Sequence, residues 1–234
     1  MHLAEIWRYP VKSMAGEQLE EAELTTAGVE GDRIVQVRVG DRLVTARSRP
    51  RLLGHRARLG ADGEILVDGR PWSDPAVAAD VERAAGAGAR LVHTRNGDSP
   101  HFFERFDILP LLVMTDGAIA EISNASLAAG SVETDRRRFR PNLLIAGVPG
   151  LAERGWEGRR LRIGKAGEPG AVVVALADLR GRCVMTTFDP DTLEQEPRVL
   201  RTVVERTGGV LGLNAEVLRG GRVRVGDRVE WLPG

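Results

Sequence analysis

Gly181-Arg182-Cys183-Val184-Met185-Thr186-Thr187-Phe188-Asp189-Pro190-Asp191-Thr192 contains the one cysteine among 234 residues. A single thiol cannot close an internal disulfide, and a four-cysteine zinc or iron–sulfur site is excluded. An arginine immediately before a cysteine stabilises the thiolate, the form that attacks electrophiles or ligates a soft metal. Upstream, Val172-Val173-Val174-Ala175-Leu176 is a β-branched run ending near Asp178. Downstream, Asp189-Pro190-Asp191 has turn chemistry, because proline presets φ and aspartate bonds its own backbone. Cys183 is therefore expected just after one strand or on a second, close to a turn. Taken alone, such a cysteine is as a rule a small buried hydrophobe.

The rest of the chain reads as short strands and a few helices. Apolar, β-prone stretches over 3–9 and 19–25 flank a loop at Ser13-Met14-Ala15-Gly16. Ile34 to Val39 is a strand turned by Gly40-Asp41, and Ile65-Leu66-Val67 lies between two Asp-Gly turns. Ser73 or Asp74, Pro75 and the Gly86/Gly88 pair bracket a first helix. A polar, glycine-containing stretch from Thr94 to Pro100 is the linker, with a soft boundary near residue 95. Beyond it, Ile108 to Met114 reads as a buried strand interrupted by Pro110, and Thr115 or Asp116 caps a second helix ending at Gly130. Leu143 to Ala146 and Leu161 to Ile163 are strands, and Pro197 opens a third helix closed by Gly208-Gly209. Val223, Val225, a Gly226-Asp227 turn, Val229 and Trp231 predict a closing hairpin with one buried face. The class is mainly β with a few helices (α+β).

Lys plus Arg equals Asp plus Glu at 33 each, so a broad nucleic-acid surface is not expected, and any charge-driven function is local. No apolar run approaches the ~20 residues of a membrane span, and the first residues lack the blocks of a signal peptide, which predicts a soluble, cytoplasmic protein. Lys12 and Lys165 are the only lysines. His2, His55, His93 and His101 show no metal-ligand spacing, and the spacing of Asp98, His101 and Glu104 does not establish a substrate entrance. No Gly-rich strand-to-helix fingerprint and no Gly-x-Ser-x-Gly elbow is present.

Arg-Cys followed by an apolar pair, Thr-Thr and Asp-Pro-Asp-Thr resembles the signature of the MOSC family, named for the carboxy-terminal domain of molybdenum-cofactor sulfurases and including the mitochondrial amidoxime-reducing proteins. Tyr9-Pro10-Val11-Lys12-Ser13, Gly31-Asp32-Arg33 and Arg138-Phe139-Arg140-Pro141-Asn142 resemble that family in the expected order. The likeness implies a MOSC β-barrel over 96–234 with a smaller strand-rich amino-terminal region over 1–95. It implies a molybdenum cofactor, a pyranopterin dithiolene ending in a phosphate, with Cys183 as the protein's metal ligand. Lys12, Ser13, Arg33, Arg140, Asn142 and Arg182 match cofactor-binding positions, and Ile108 and Leu109 match a strand that contributes backbone contacts. Pro141 is expected to keep Arg140 extended, so that Arg140 and Asn142 project from one strand entry. Arg136, Arg137 and Arg138 read as a solvated basic run.

The activity implied is reduction of N-hydroxylated or N-oxide small molecules, as in an amidoxime reductase, with electrons from a separate flavin, haem or ferredoxin-type reductase. The alternatives are a sulfur or cofactor carrier using a Cys183 persulfide, and a binding module without chemistry.

Overall fold

The structure, a computed structural model, describes residues 1–94, 104–164 and 170–233. The boundary near 95, most of the expected linker, Asp98, His101 and the turn at Lys165 fall outside these residues.

Eight strands form the main sheet, in the spatial order Val229–Trp231, Arg160–Ile163, Val172–Gly181, Val210–Arg219, Leu111–Thr115, Leu143–Ala146, His2–Arg8 and Glu17–Leu19. Neighbours are antiparallel except Leu111–Thr115 and Leu143–Ala146, which run parallel. A parallel pair needs a crossover, and helix α2 is part of the connection between them. In chain order the helices are α1 (Pro75–Ala85), α2 (Asp116–Ala128) and α3 (Pro197–Thr207). The mainly β class with three helices is what the sequence predicts. The sheet curls until Leu3 donates its N–H to Asp227 O at 2.8 Å, but the strand order stays open among the described residues.

Side-chain alternation divides the core into layers. Leu111 and Val113 face one way, with Leu3, Ile6, Leu143, Ile145 and Leu161. Leu112 and Met114 face the other, against Ala118 and Ile122 of α2 and Val199 and Val203 of α3. A second apolar cluster in the amino-terminal region packs Val35, Val37, Ile65 and Val67 under Val77 and Val81 of α1. The caps follow the sequence: Asp74 accepts from Ala76 N, and Thr115 accepts from Ala118 N.

The two regions are sewn together by strand pairing. His2–Arg8 lies in the main sheet against Leu143–Ala146, and Gly221–Arg224 pairs with Glu21–Thr25. This last pairing overturns the predicted closing hairpin. Gly221–Arg224 and Val229–Trp231 flank a turn as expected but join different sheets, because the turn itself is bonded to Leu3 on both sides. The expected strand from Ile108 is also corrected. Regular pairing starts at Leu111, after Pro110, which has no N–H to give a ladder, and Ile108 is exposed.

Glu153 is wholly buried behind the first turn of α2. Thr115 Oγ1 donates to its Oε2 at 3.1 Å, while Oε1 has no partner. Burial raises its pKa against the opposing Thr115 bond and Arg154 charge. A carboxyl raised in the folded state stabilises the fold below its unfolded pKa, and that stability is lost as pH rises through the folded pKa. Glu153→Gln is expected to become progressively more stable than wild type as pH rises from about 4, the ordinary carboxyl range, to about 8. Parallel melting curves across that range check this; a constant difference in Tm would refute it.

Candidate functional site

The segment following the first strand is held by the segment around Arg33 through backbone bonds. Tyr9 N donates to Asp32 Oδ1 at 2.7 Å, and Arg33 N donates to Tyr9 O at 2.8 Å. Val35 N donates to Pro10 O at 3.0 Å, and Lys12 N to Val35 O at 2.8 Å. The Tyr-Pro-Val-Lys-Ser and Gly-Asp-Arg segments therefore form one unit. Gly16 completes it, since a Cβ there would sit 2.2 Å from Arg8 O and 2.5 Å from Tyr9 Cδ1.

Five non-glycine residues among those described have positive φ, and three belong to this region: Ser13 at 75°, Arg33 at 51° and Arg140 at 58°. Non-glycine residues rarely take this conformation, and such strain concentrates at functional sites. Arg140 corrects the expectation of an extended residue before Pro141. It ends the short 3-10 turn Arg136–Phe139 in the left-handed region. Its Nη1 donates to Met14 O at 2.7 Å, and its guanidinium lies 4.2 Å from the Tyr9 ring centroid.

Asn142 is fully buried and saturated on its oxygen. Oδ1 accepts from Leu112 N at 3.1 Å and from Arg33 Nη1 at 3.3 Å, while Nδ2 donates to Trp7 O at 3.3 Å. It ties three strands together and orients Arg33, which also pairs with Asp32. Arg138, expected to be solvated, is buried. Its Nη1 donates to Thr187 O at 2.9 Å and its Nη2 pairs with Asp189 at the same distance, pinning the segment after the cysteine.

Cys183 follows the long strand Val172–Gly181, whose pairing with Val210–Arg219 is interrupted by register shifts between Leu176 and Leu179 and between Leu179 and Gly181. The strand runs past Asp178, where the apolar run had suggested an end, and its irregularities re-aim side chains. Cys183 is half-buried, unpaired in any disulfide, and starts the short turn Val184–Thr187 by accepting from Thr186 N.

These segments meet in one cleft of about 790 Å³, open mouth included. It brings Cys183 together with Lys12, Ser13, Arg33, Leu109, Arg140, Asn142 and Arg182; Ile108 is not in its wall. Arg47, Arg138 and Arg180 also line it, so seven cationic side chains face a single carboxylate, Asp107, among the described residues. Burial lowers the Arg140 pKa to about 10, and burial with Arg180 nearby does the same to Arg182. Arg140 Nη2, Arg180 Nε and Arg182 Nε are buried without a partner. Buried donors of this kind want acceptors, and a cavity ringed by them suits an anion rich in oxygen.

Lys12 Nζ donates to Glu104 O at 2.8 Å and lies 3.1 Å from Asp107 Oδ1. Burial lowers its pKa, and Asp107 counters that in part. Ser13 Oγ accepts from Ala46 N at 3.0 Å, leaving its proton for an acceptor in the cleft. Sequence reasoning missed Arg47, Asp107 and Arg180, which belong to no motif. It also passed over Tyr9 as a site residue, although Tyr9 is the only tyrosine in the chain.

The fold is a curled β-sheet whose cleft sets one thiol among cations, a lining suited to an anion and to a soft metal. The chain belongs to the MOSC domain family, which matches residues 109–230; the MOSC N-terminal beta barrel domain matches residues 1–98. It is 25% identical to mitochondrial amidoxime-reducing component 1 of Homo sapiens over 243 residues, covering 81% of this chain and 67% of that protein. It is 24% identical to mitochondrial amidoxime reducing component 2 of Macaca fascicularis, with the same coverages. The YUAD protein of Bacillus subtilis shares the fold, with a TM-score of 0.50 at 15% identity, over 97% of this chain and 92% of that one. Among the described residues no helix is long and apolar enough to cross a membrane.

The Tyr9 hydroxyl donates to Pro141 O at 3.0 Å in a buried setting, and burial raises its pKa. Tyr9→Phe leaves that carbonyl unsatisfied and is expected to lower stability by about 1–3 kcal/mol. Urea denaturation measures the change; a loss within error would show that the bond does not hold the two segments together.

Proposed function

We propose that this protein is a molybdenum-cofactor-binding oxidoreductase that reduces N-hydroxylated or N-oxide small molecules, with Cys183 as the metal's protein ligand. The observation that carries this reading is the convergence of Cys183 with seven cations in one cleft. The names of the amidoxime-reducing relatives support the reaction class. The residues fit the group. Among the described residues no cluster of three or more His, Cys, Asp or Glu could hold a bare ion, so a metal here would arrive with most of its ligands. One thiolate is the soft donor such a group lacks.

Both regions, 1–95 and 96–234, contribute to the site. Lys12 supplies a compact charge for a terminal phosphate, and Ser13 a hydroxyl donor. Arg140 Nη2 and Arg182 Nε offer partnerless N–H groups to phosphate or pterin edges, and Arg182 holds its charge beside Cys183. Arg33 acts from a fixed orientation, and Asn142 acts through Arg33. Leu109 closes one wall; Ile108 has no part in the proposed site.

When bound, the cofactor supplies the two-electron redox chemistry, while the chain supplies binding, orientation and electrostatics. Reduction of an N-hydroxylated compound consumes two electrons and two protons and releases water. The electrons come from a separate flavin, haem or ferredoxin-type reductase, because one cysteine cannot build an iron–sulfur cluster here.

Expression in a host that makes the cofactor is expected to yield near-stoichiometric molybdenum in wild type and amidoxime reduction with a chemical reductant. Cys183→Ser is expected to keep its fold by circular dichroism and lose most of that activity. Wild-type protein without molybdenum but with a sulfur adduct on Cys183 by mass spectrometry would overturn this reading in favour of a persulfide carrier.

A further inference from the structure

Among the described residues Asp107 is the one carboxylate in the wall of the cleft, and it sits among the cations. Its Oδ1 is 3.1 Å from Lys12 Nζ, its Oδ2 is 3.1 Å from Arg47 Nη2, and Arg180 Nη1 lies 4.0 Å away. Other acids beside the cleft cations are fixed by further bonds, and Asp178, near Arg180, accepts from Asn214 Nδ2 at 3.1 Å. Asp32 accepts from Tyr9 N and pairs with Arg33, and Asp189 is fastened by Arg138 and by the backbone of Asp191 and Thr192.

The partners differ in how firmly they are held. The Lys12 and Arg180 side chains are 10% and 14% exposed, and Lys12 is also bonded to the Glu104 carbonyl. The Asp107 side chain is 44% exposed and lies in the irregular stretch before the Leu111–Thr115 strand. The Arg47 side chain is 55% exposed, so when an anion competes for Lys12 and Arg180, Asp107 is the exposed partner that can leave these two buried cations, with Arg47 able to turn toward either charge. Exposed ion pairs are individually weak, so the exchange lies within reach of a ligand making several charge-assisted bonds at once.

We propose that Asp107 is a built-in competitor for the phosphate-holding cations. It neutralises Lys12, Arg47 and Arg180, sets a threshold that weakly bound anions do not pass, and swings out when a phosphate-bearing ligand engages them. This rests on the reading that the cleft receives a phosphate.

The test compares inorganic phosphate binding to the full chain, purified from a host lacking the cofactor, in wild type and Asp107→Asn. Isothermal titration is expected to show binding on the order of tenfold tighter in the variant, about 1.4 kcal/mol. Hydrogen exchange in the peptide spanning residues 104–110 is expected to rise when wild type is saturated with phosphate. Should the amide variant not fold, Asp107→Ser repeats the comparison. Equal or weaker binding in the variants, no binding to any of them, or unchanged exchange would overturn the proposal. The cofactor reading is judged separately by molybdenum content. Tighter phosphate binding in a chain that never acquires molybdenum sinks that reading alone, whereas a molybdenum protein with unaltered phosphate affinity sinks this inference alone.

Discussion

A fully buried carboxylate, that of Asp32, must be satisfied by the chain around it, because an unpaired charge removed from water is costly. Its two oxygens are met by the Tyr9 N–H and the Arg33 guanidinium. Through those two partners the carboxylate sets one wall of the cleft. The Tyr9 ring takes both guanidinium groups, Arg33 at 5.2 Å and Arg140 at 4.2 Å from its centroid. Cation–π contact of this kind favours charge over the ring faces while the hydroxyl reaches Pro141. The same Nη1 of Arg33 that pairs with Asp32 also donates to Asn142 Oδ1, which holds the guanidinium at the cleft wall. The arginines are thus arranged before any ligand arrives, and the ordering cost of binding falls accordingly.

The opposite wall is built by a different device. The strand from Val172 to Gly181 sends successive side chains to alternate faces, with register shifts near its end. Arg180 and Arg182, two positions apart, share a face by the strand period itself, and Cys183, past the strand's last residue, turns to the same cleft. Arg182 Nη2 donates to Phe139 O at 2.6 Å, and Arg138 reaches back to Thr187 O, so the cysteine segment and the Arg136–Phe139 turn are laced in both directions. A strand end on one side and left-handed backbone on the other both bring polar side chains into the cavity.

Local signals in the sequence were enough for the helices, most turns and the class. Proline and glycine punctuation bracketed α1 and α3, and the Gly40-Asp41 pair closes the tight hairpin from Val39 to Arg42. What was not legible depended on distant partners. The Gly226-Asp227 turn has ordinary hairpin chemistry, and nothing local reveals that Leu3 occupies the bonds a hairpin would use. Arg140 before Pro141 reads as extended by steric preference, yet its bonds to Met14 and the Tyr9 ring hold it left-handed. Arg138 looked like one of three solvated arginines because burial is decided by Asp189, fifty-one positions away. The motif residues were visible by resemblance to a family, whereas Arg47, Asp107 and Arg180, outside any motif, emerge only from proximity in space.

The first strand finds its main partner in Leu143–Ala146, on the far side of more than half the chain. During synthesis one edge of the first strand must therefore stay unpaired until those later residues have left the ribosome; long-range closure of this kind is slow. Half a cavity cannot be assembled early and charged with ligand while translation continues. The walls of the cleft come from both halves of the sequence, so anything that fills it would have to enter the completed chain.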